Sequence, residues 1–292
     1  MKLLIFGSNG MLGHKLVQQL CSRFDVFGTI RGDLASVSDY GIFKPEKTVE
    51  HVDADDLASI ENAIHRSQPD VVLNAVGIIK QVPNAKNVIT TLNINSIFPH
   101  RLAEFAEKYG FRLISISTDC VFDGVRGNYY ENDIPNAADL YGKSKNLGEV
   151  TGPNCLTIRT SIIGRELDSA HSLLEWVLSN RGGRIDGYTN AIYSGFPTIV
   201  FADIISSLII DHKDLSGLYH VASEPINKFK LLTLIDKYYK TGIEIVPSGD
   251  FKIDRSLNAS RFNGLTGFKP EIWEEMVQRM ANDTTPYEFW RK

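Results

Sequence analysis

Tyr141-Gly142-Lys143-Ser144-Lys145 sets a phenol and an ammonium four residues apart, a spacing that puts both on one face of a helix. A phenol, with an unperturbed pKa of about 10, is a usable acid when a nearby cation favours its anionic form. Hydride reduction of a ketone leaves an alkoxide that needs such a proton. The spacing alone says little, because Tyr40 and Lys44 repeat it inside a Gly/Pro-containing loop. Position adds weight: Tyr141 follows a strand-like run ending in Ser117-Thr118-Asp119, and the Thr118 hydroxyl can donate to a carbonyl oxygen under reduction. Thr118, Tyr141 and Lys145 are the candidate catalytic set.

Hydride chemistry needs a hydride carrier, and the start of the chain offers a place for one. Gly7-Ser8-Asn9-Gly10-Met11-Leu12-Gly13 reads G-x-x-G-x-x-G between the first strand-like run and the first helical segment. Gly7 suits a tight turn, and Gly10 lets backbone N–H groups approach a pyrophosphate. Gly13 lets the helix pack close to the sheet, with its N-terminus attracting the anion. Where many NAD-binding chains place an acid at the end of the second strand, this one reads Gly28-Thr29-Ile30-Arg31. Arg31 can pair with a 2′-phosphate, so NADPH is expected, with NADH the alternative because Asp33 stands two residues on.

Both sets of residues need an alternating frame to hold them. Short apolar runs at 2–6, 24–30, 48–52, 71–76, 112–117 and 156–160 alternate with helical segments at 11–20, 55–65, 93–109 and 140–149. That is the pattern of βαβ units around a doubly wound parallel α/β sheet. Such sheets bind ligands beyond the carboxyl ends of their strands, where the Asp-, Asn-, Gly- and Pro-rich stretch 118–140 reads as a long ordered loop. The predicted organisation is a dinucleotide-binding domain over residues 1–160 and a smaller mixed α/β domain over 161–292. The two are interleaved, because about 198–222, with a helix at 199–210 and a strand at 217–222, is expected to return to the first.

The balance of 31 Lys+Arg against 35 Asp+Glu, with no basic stripe or charge run, argues against nucleic acid as a partner. Apolar content of 43% and charged content of 23% are those of a globular protein. No apolar run reaches the ~20 residues of a membrane span, and the N-terminal run is too short for a secretory signal, so cytoplasmic residence is expected. Cys21, Cys120 and Cys155 suggest neither a disulfide framework nor a zinc site, and the seven histidines show no ligand spacing, so no metal is expected. A homodimer and a monomer are equally compatible with the sequence.

Several further segments carry a resemblance: Ile116-Ser117-Thr118-Asp119-Cys120-Val121-Phe122-Asp123-Gly124, the run YGKSKNLGE from Tyr141 to Glu149, Arg159-Thr160-Ser161, Gly195-Phe196-Pro197-Thr198 and Gly217-Leu218-Tyr219-His220. With the motifs above, they make the chain resemble the extended short-chain dehydrogenase/reductases, and within these the dTDP-4-dehydrorhamnose reductases and related nucleotide-sugar reductases. The resemblance implies a Rossmann domain, a small C-terminal substrate domain, and NADPH-dependent reduction of a nucleotide-linked 4-keto-6-deoxy sugar for polysaccharide or glycan synthesis. It makes Thr118, Tyr141 and Lys145 catalytic, with Tyr141 the proton donor and both Tyr141 and Lys145 in contact with the cofactor. It assigns Asp53 to the adenine side, Asn74-Ala75-Val76-Gly77 to the adenosine ribose, and Asn95 to the cofactor-facing asparagine of the long helix. Thr118, Asp119, Cys120, Val121, Phe122, Ile162, Arg255 and Asn258 fall on the substrate side.

The chain departs from the family pattern at three of its positions. Ser256 replaces a proline, and Cys120 and Ile162 stand where the family usually has aromatic residues beside the sugar. Losing two flat surfaces alters the pocket, so a UDP-linked 2-acetamido-2,6-dideoxyhexulose competes with the rhamnose precursor as substrate. Cys120 also stands where related 4,6-dehydratases carry a glutamate, which favours reduction over water elimination. An epimerase shares the Tyr/Lys machinery. The resemblance extends to a non-catalytic reading, the NADP-binding regulatory subunit of methionine adenosyltransferase. Elsewhere Trp176 is expected in a core stripe, Trp273 and Trp290 as packing anchors, and His220 as a satisfied core histidine. Glu271, Glu274 and Glu275 are expected to form a solvated helix start.

Overall fold

A computed structural model describes residues 1–290. Strands β1 (Lys2–Phe6), β2 (Asp25–Thr29), β3 (Thr48–Val49), β4 (Val71–Asn74), β5 (Arg112–Thr118) and β6 (Cys155–Thr160) alternate with helices α1 (Gly13–Leu20), α2 (Leu57–Ser67), α3 (Val88–Leu92), α4 (Phe98–Tyr109) and α5 (Leu140–Leu147). There follow β7 (Ile162–Ile163), α6 (Leu173–Ser179), β8 (Arg184–Tyr193), β9 (Phe196–Pro197), α7 (Thr198–Ile210), β10 (Gly217–His220), β11 (Ile226–Asn227) and α8 (Lys228–Tyr239). The chain continues through β12 (Glu244–Asp254), α9 (Ser260–Thr266), α10 (Trp273–Ala281) and α11 (Tyr287–Trp290).

Seven strands form one parallel sheet in the order β3-β2-β1-β4-β5-β6-β10. Its strands are apolar on both sides because helices cover both sides. Leu3 and Ile5 of β1 pack into a core with Leu16, Phe201 and Ile205, whereas Leu4 and Phe6 face a second core with Ile60, Phe98 and Leu102. Each such side chain contributes about 1.5–3 kcal/mol on burial. The strand order reverses between β1 and β4, which opens the crevice in which such sheets bind ligands.

A three-stranded sheet, β11-β8-β12, and the two-stranded β7-β9 ribbon lie outside the main sheet. Helix α7 is apolar nearly all round and almost wholly buried, and it packs against α1 and α10. Strand β10 pairs with β6 at the edge of the main sheet. Among the described residues, no helix is long and apolar enough to cross a membrane.

Three local expectations fail. The strand expected at 48–52 pairs for only two residues. The helix expected at 93–109 starts earlier, at α3, and passes through a π turn at Asn93–Ile97 before α4. Pro99 has no N–H to offer the Asn95 carbonyl, and the Phe98 N–H reaches back five residues to the Asn93 carbonyl. Trp176 is 43% exposed rather than in the core. On the seven-residue α6 it lies about 200° around from the buried Leu174, on the outer face.

Candidate active site

The glycine loop joins β1 to α1 at the point where the strand order reverses. Gly7 has φ +76°, and a Cβ on Gly13 would lie 2.0 Å from the Gly7 carbonyl oxygen, so neither position accepts a side chain without moving the loop. Ser8 ties the loop to β2, its N–H and Oγ both donating to the Thr29 carbonyl at 3.1 and 2.7 Å. Among the described residues, the backbone N–H groups of Asn9, Met11 and Leu12 donate to no group of the chain. Free amides at the start of a helix fit a pyrophosphate, so the loop suits a dinucleotide.

Toward the adenosine end, Arg31 is exposed just past β2, with no ion-pair partner among the described residues. Asp33, the acid that would favour NAD, instead has its Oδ1 3.2 Å from His51 Nε2. Asp53 follows β3, and its carboxylate accepts from the Asp55 N–H at 3.0 Å. At the end of β4, the buried Asn74 side chain accepts from the Val76 N–H at 3.1 Å, and Ala75 and Val76 lie against Gly7. Asn95, displayed by the π turn, accepts from Ile78 N–H at 2.8 Å and donates to the Ile78 carbonyl and to Ser144 Oγ. It thereby fixes the segment that carries Gly77 to helix α5.

At the carboxyl end of β5 the catalytic candidates converge. Thr118 caps the turn that follows, accepting from Cys120 N–H and donating to Asp119 Oδ1, each at 3.1 Å. The Tyr141 phenol lies beside the Thr118 hydroxyl, and burial, reinforced by the negative forms of Cys120 and Asp119, raises its pKa. Lys145 donates to the Ile116 carbonyl at 2.8 Å, and burial lowers its pKa to about 8. Burial keeps the Tyr141 phenol protonated, the form a proton donor needs.

The substrate-side candidates divide. Asp119 is buried, and desolvation raises its pKa against the opposing pull of Thr118, Arg255 and Lys228. Desolvation pushes the Cys120 thiol up to about 12, so it is protonated and no nucleophile. Val121 and Phe122 are wholly buried in a small core with Tyr129 and Leu257, so their side chains serve packing. Phe122 offers its carbonyl, which accepts from Arg255 Nε at 2.9 Å. Ile162 is half-buried on the β7-β9 ribbon. Asn258 commits its amide to the chain, donating to Asn128 Oδ1 and accepting from Ser260 N–H.

Ser256 makes two bonds a proline could not: its N–H donates to Asp254 Oδ1 at 2.9 Å and its Oγ accepts from Asn128 N–H at 2.8 Å. His220 is buried between Phe122, Arg159 and the Tyr129 carbonyl, and burial followed by the Arg159 charge lowers its pKa to about 3. It is therefore a neutral core histidine. Trp273 and Trp290 pack against Tyr193 and Tyr40 respectively. Glu274 and Glu275 open α10, and Glu274 pairs with Lys237.

Two features escaped sequence reasoning. Lys228, at the start of α8, faces Asp119 and Cys120 electrostatically. The chain's last described segment clasps α1: Asp283 pairs with the buried Lys15 at 2.6 Å, and the Tyr287 hydroxyl lies 2.7 Å from His14 Nε2. No local pattern around Lys228 or Lys15 marks either residue. Among the described residues one grouping, Asp33, Glu50 and His51, brings three potential ligand atoms within 4.8 Å, on the loops after β2 and β3.

Residues 1–285 match the model of the RmlD substrate binding domain family. The chain belongs to this family. It is an extended short-chain dehydrogenase/reductase, a fold of NAD(P)H-dependent oxidoreductases. It is 27% identical over 235 residues to the dTDP-4-dehydrorhamnose reductase of Aggregatibacter actinomycetemcomitans, covering 77% of this chain and 74% of that protein. It is 25% identical to the spore coat polysaccharide biosynthesis protein SpsK of Bacillus subtilis, covering 97% of both. A methionine adenosyltransferase 2 subunit beta from Pongo abelii is 31% identical over 153 residues, 51% of this chain and 41% of that protein. Among solved structures, a Bacillus anthracis dTDP-4-dehydrorhamnose reductase in complex with NADP superposes with a TM-score of 0.79 at 23% identity, over 97% of this chain and 99% of that one. This last likeness is one of fold.

Proposed function

We propose that the protein is an NADPH-dependent reductase of a nucleotide-activated 4-keto-6-deoxy sugar that supplies a polysaccharide or glycan precursor. The observation that carries this reading is the convergence of Thr118, Tyr141 and Lys145 at the end of β5, in a chain whose glycine loop leaves its helix-starting amides unpaired. On this reading residues 1–160 with about 198–222 form the cofactor domain, and the remainder binds the sugar. Names borne by the reductase and polysaccharide-synthesis relatives support the substrate class.

Bound NADPH would supply the hydride. Met11 and Leu12 would hold its pyrophosphate through their N–H groups, and Arg31 its 2′-phosphate. Thr118 orients the sugar carbonyl by turning its hydroxyl from Asp119 to donate to that oxygen, and Tyr141 transfers its proton to the same oxygen as negative charge develops. The raised pKa of the phenol does not block the step, since an alkoxide is a far stronger base than a phenolate. Lys145, close enough to Gly77 that a Cβ there would lie 3.9 Å from its Nζ, supplies the cation that offsets the phenolate left behind. Cys120 and Ile162, smaller than the aromatic residues usual in the family, favour an N-acetylated sugar as the second reading.

The test is NADPH oxidation against dTDP-, UDP- and GDP-linked 4-keto-6-deoxysugars. Turnover with one member is expected, and Tyr141→Phe should lower it by about 10²–10⁴ while NADPH still binds. NADPH binding without turnover on any member would overturn the reductase reading in favour of a regulatory subunit.

A further inference from the structure

Lys228 follows Asn227, whose side chain accepts from Lys230 N–H at 2.8 Å and fixes the start of α8. The small sheet pairs Ile226 with Tyr193 and Asp254 with Ile192. One end of that sheet therefore carries Lys228, Tyr193 and Arg255 together. The Lys228 ammonium stands 4.3 Å from the centroid of the Tyr193 ring. Its titratable neighbours are Asp119 and Cys120, the two residues after Thr118, so this cation from the small sheet meets the carboxyl end of β5.

What separates Lys228 from the buried Lys15 and Lys145 is the state of its donors. Lys15 donates to Gln18, Asp283 and Thr285, and Lys145 to the Ile116 carbonyl. Among the described residues, Lys228 donates no hydrogen bond and makes no ion pair. Its ammonium lies deep in the protein while the side chain still meets solvent, as it would at the bottom of a cleft. An ammonium has three donors, and an aromatic face satisfies none of them. Arg255, by contrast, commits its Nε to the Phe122 carbonyl.

We infer that Lys228 is a specificity-determining residue of the sugar pocket, where its ammonium donates to an oxygen substituent of the sugar ring, a hydroxyl or an acyl carbonyl. The inference rests on the nucleotide-sugar reading above. The neighbouring carboxylate decides between sugar and diphosphate. Asp119, coupled electrostatically to the ammonium without pairing with it and raised in pKa by burial, brings acceptor capacity rather than a second positive charge to this end of the site, which suits adjacent groups on a neutral ring better than a polyanion.

The test is calorimetric binding to NADP⁺-loaded protein of UDP-N-acetylglucosamine and dTDP-glucose, with UDP and dTDP as their sugar-free counterparts. The wild-type protein should bind a nucleotide sugar more tightly than its bare nucleotide. Lys228→Met should erase that margin, a loss of about 10–100-fold for one or two hydrogen bonds to a charged group. Affinity for NADP⁺ and for the bare nucleotide should stay within about twofold, and Lys228→Arg should keep part of the margin. Should Lys228→Met also lose NADP⁺, Lys228→Gln is read in its place. A margin unchanged in these variants overturns the inference and leaves the proposed function standing. A wild-type protein that binds nucleotides without preferring the sugar-linked forms also overturns it. No binding of any nucleotide by the wild-type protein overturns the substrate class itself.

Discussion

The charge on Lys145 opposes folding, and Lys145→Met exposes by how much. Burial lowers its pKa from 10.5 to about 8, and the side chain is 8% exposed, so solvent screens it little. At about 1.4 kcal/mol per pKa unit, holding the ammonium charged in the fold costs about 3 kcal/mol below pH 8. The variant also loses the bond to the Ile116 carbonyl, and an orphaned buried acceptor costs about 1–3 kcal/mol. At pH 7 these two effects oppose and nearly cancel, so a single stability value tells nothing. Their pH dependence separates them, because only the first titrates. Above 10.5 the lysine is neutral in both the folded and the unfolded state and carries no penalty, while below about 8 it carries all of it. The wild-type protein should therefore gain on Lys145→Met as pH rises through this window, by about 2 kcal/mol between pH 7 and about 9.5. Titrations elsewhere, that of Lys228 included, are common to both proteins and drop out of the difference. Urea unfolding of the unliganded proteins at the two pH values measures it. A gap that stays constant would refute the claim that Lys145 is a desolvated cation, and a gap that moves the other way would mean the site stabilises the charge.

Three further outcomes follow from the geometry. Gly13→Ala places a Cβ 2.0 Å from the Gly7 carbonyl oxygen and 2.7 Å from Ser8 Cα, so the loop must move. Strain of about 1–3 kcal/mol should weaken NADPH roughly 10–100-fold in a fluorescence titration. Ser256→Pro, which restores the usual family residue, should destabilise this chain by about 1–3 kcal/mol in urea, because Asn128 N–H and Asp254 Oδ1 lose their partner. Glu149→Ala strips the 3%-exposed Arg159 of its two-point partner and should cost about 3–5 kcal/mol by the same assay, with Glu149→Gln milder.

The parts of this molecule that were legible in its sequence are those governed by neighbours along the chain. The glycine loop is such a case, since the close approach of Gly13 to Gly7 and Ser8 arises within seven residues, and so is Tyr141…Lys145, one turn of one helix. Strands β1 and β4 announced themselves because burial on both faces leaves them short, nearly unbroken apolar runs. What stayed hidden depends on distant partners. The π turn at Asn95 follows from Pro99 but is shaped by α5, where a Cβ on Gly148 would lie 2.0 Å from the Asn95 carbonyl oxygen. The exposed charge of Arg31 was readable, whereas the turning of Asp33 toward His51 was not. Trp176 matched a core stripe whose helix proved too short to wrap it. Lys15 and Lys228 are ordinary surface lysines by sequence, made otherwise by Asp283 in one case and by the pairing of three strands in the other.

The division of labour between the two sheets bears on selectivity. The cofactor side is built from backbone amides and short polar side chains of the main sheet, all anchored within a few residues of a strand end. On the proposed reading the sugar side takes Asp119 from the end of the main sheet and Lys228 and Arg255 from the ends of the small one. Their spacing therefore depends on contacts that hold the small sheet, such as Trp273 Nε1 donating to the Glu224 carbonyl at 2.6 Å and Leu257 N–H donating to Ser194 Oγ at 3.2 Å. Where the family usually sets flat aromatic surfaces, this chain sets Cys120 and Ile162, and Cys120 faces Lys228 and Asp119. A surface that excludes water separates substrates differing by a methylene only about 10–200-fold, whereas buried donors left unpaired reject an analogue lacking the matching group by about 10⁴-fold or more. If Lys228 and Asp119 line the sugar pocket as proposed, that pocket relies on the hydroxyl and acyl groups of the ring rather than on its apolar face, and its preferred sugar should be one that meets both.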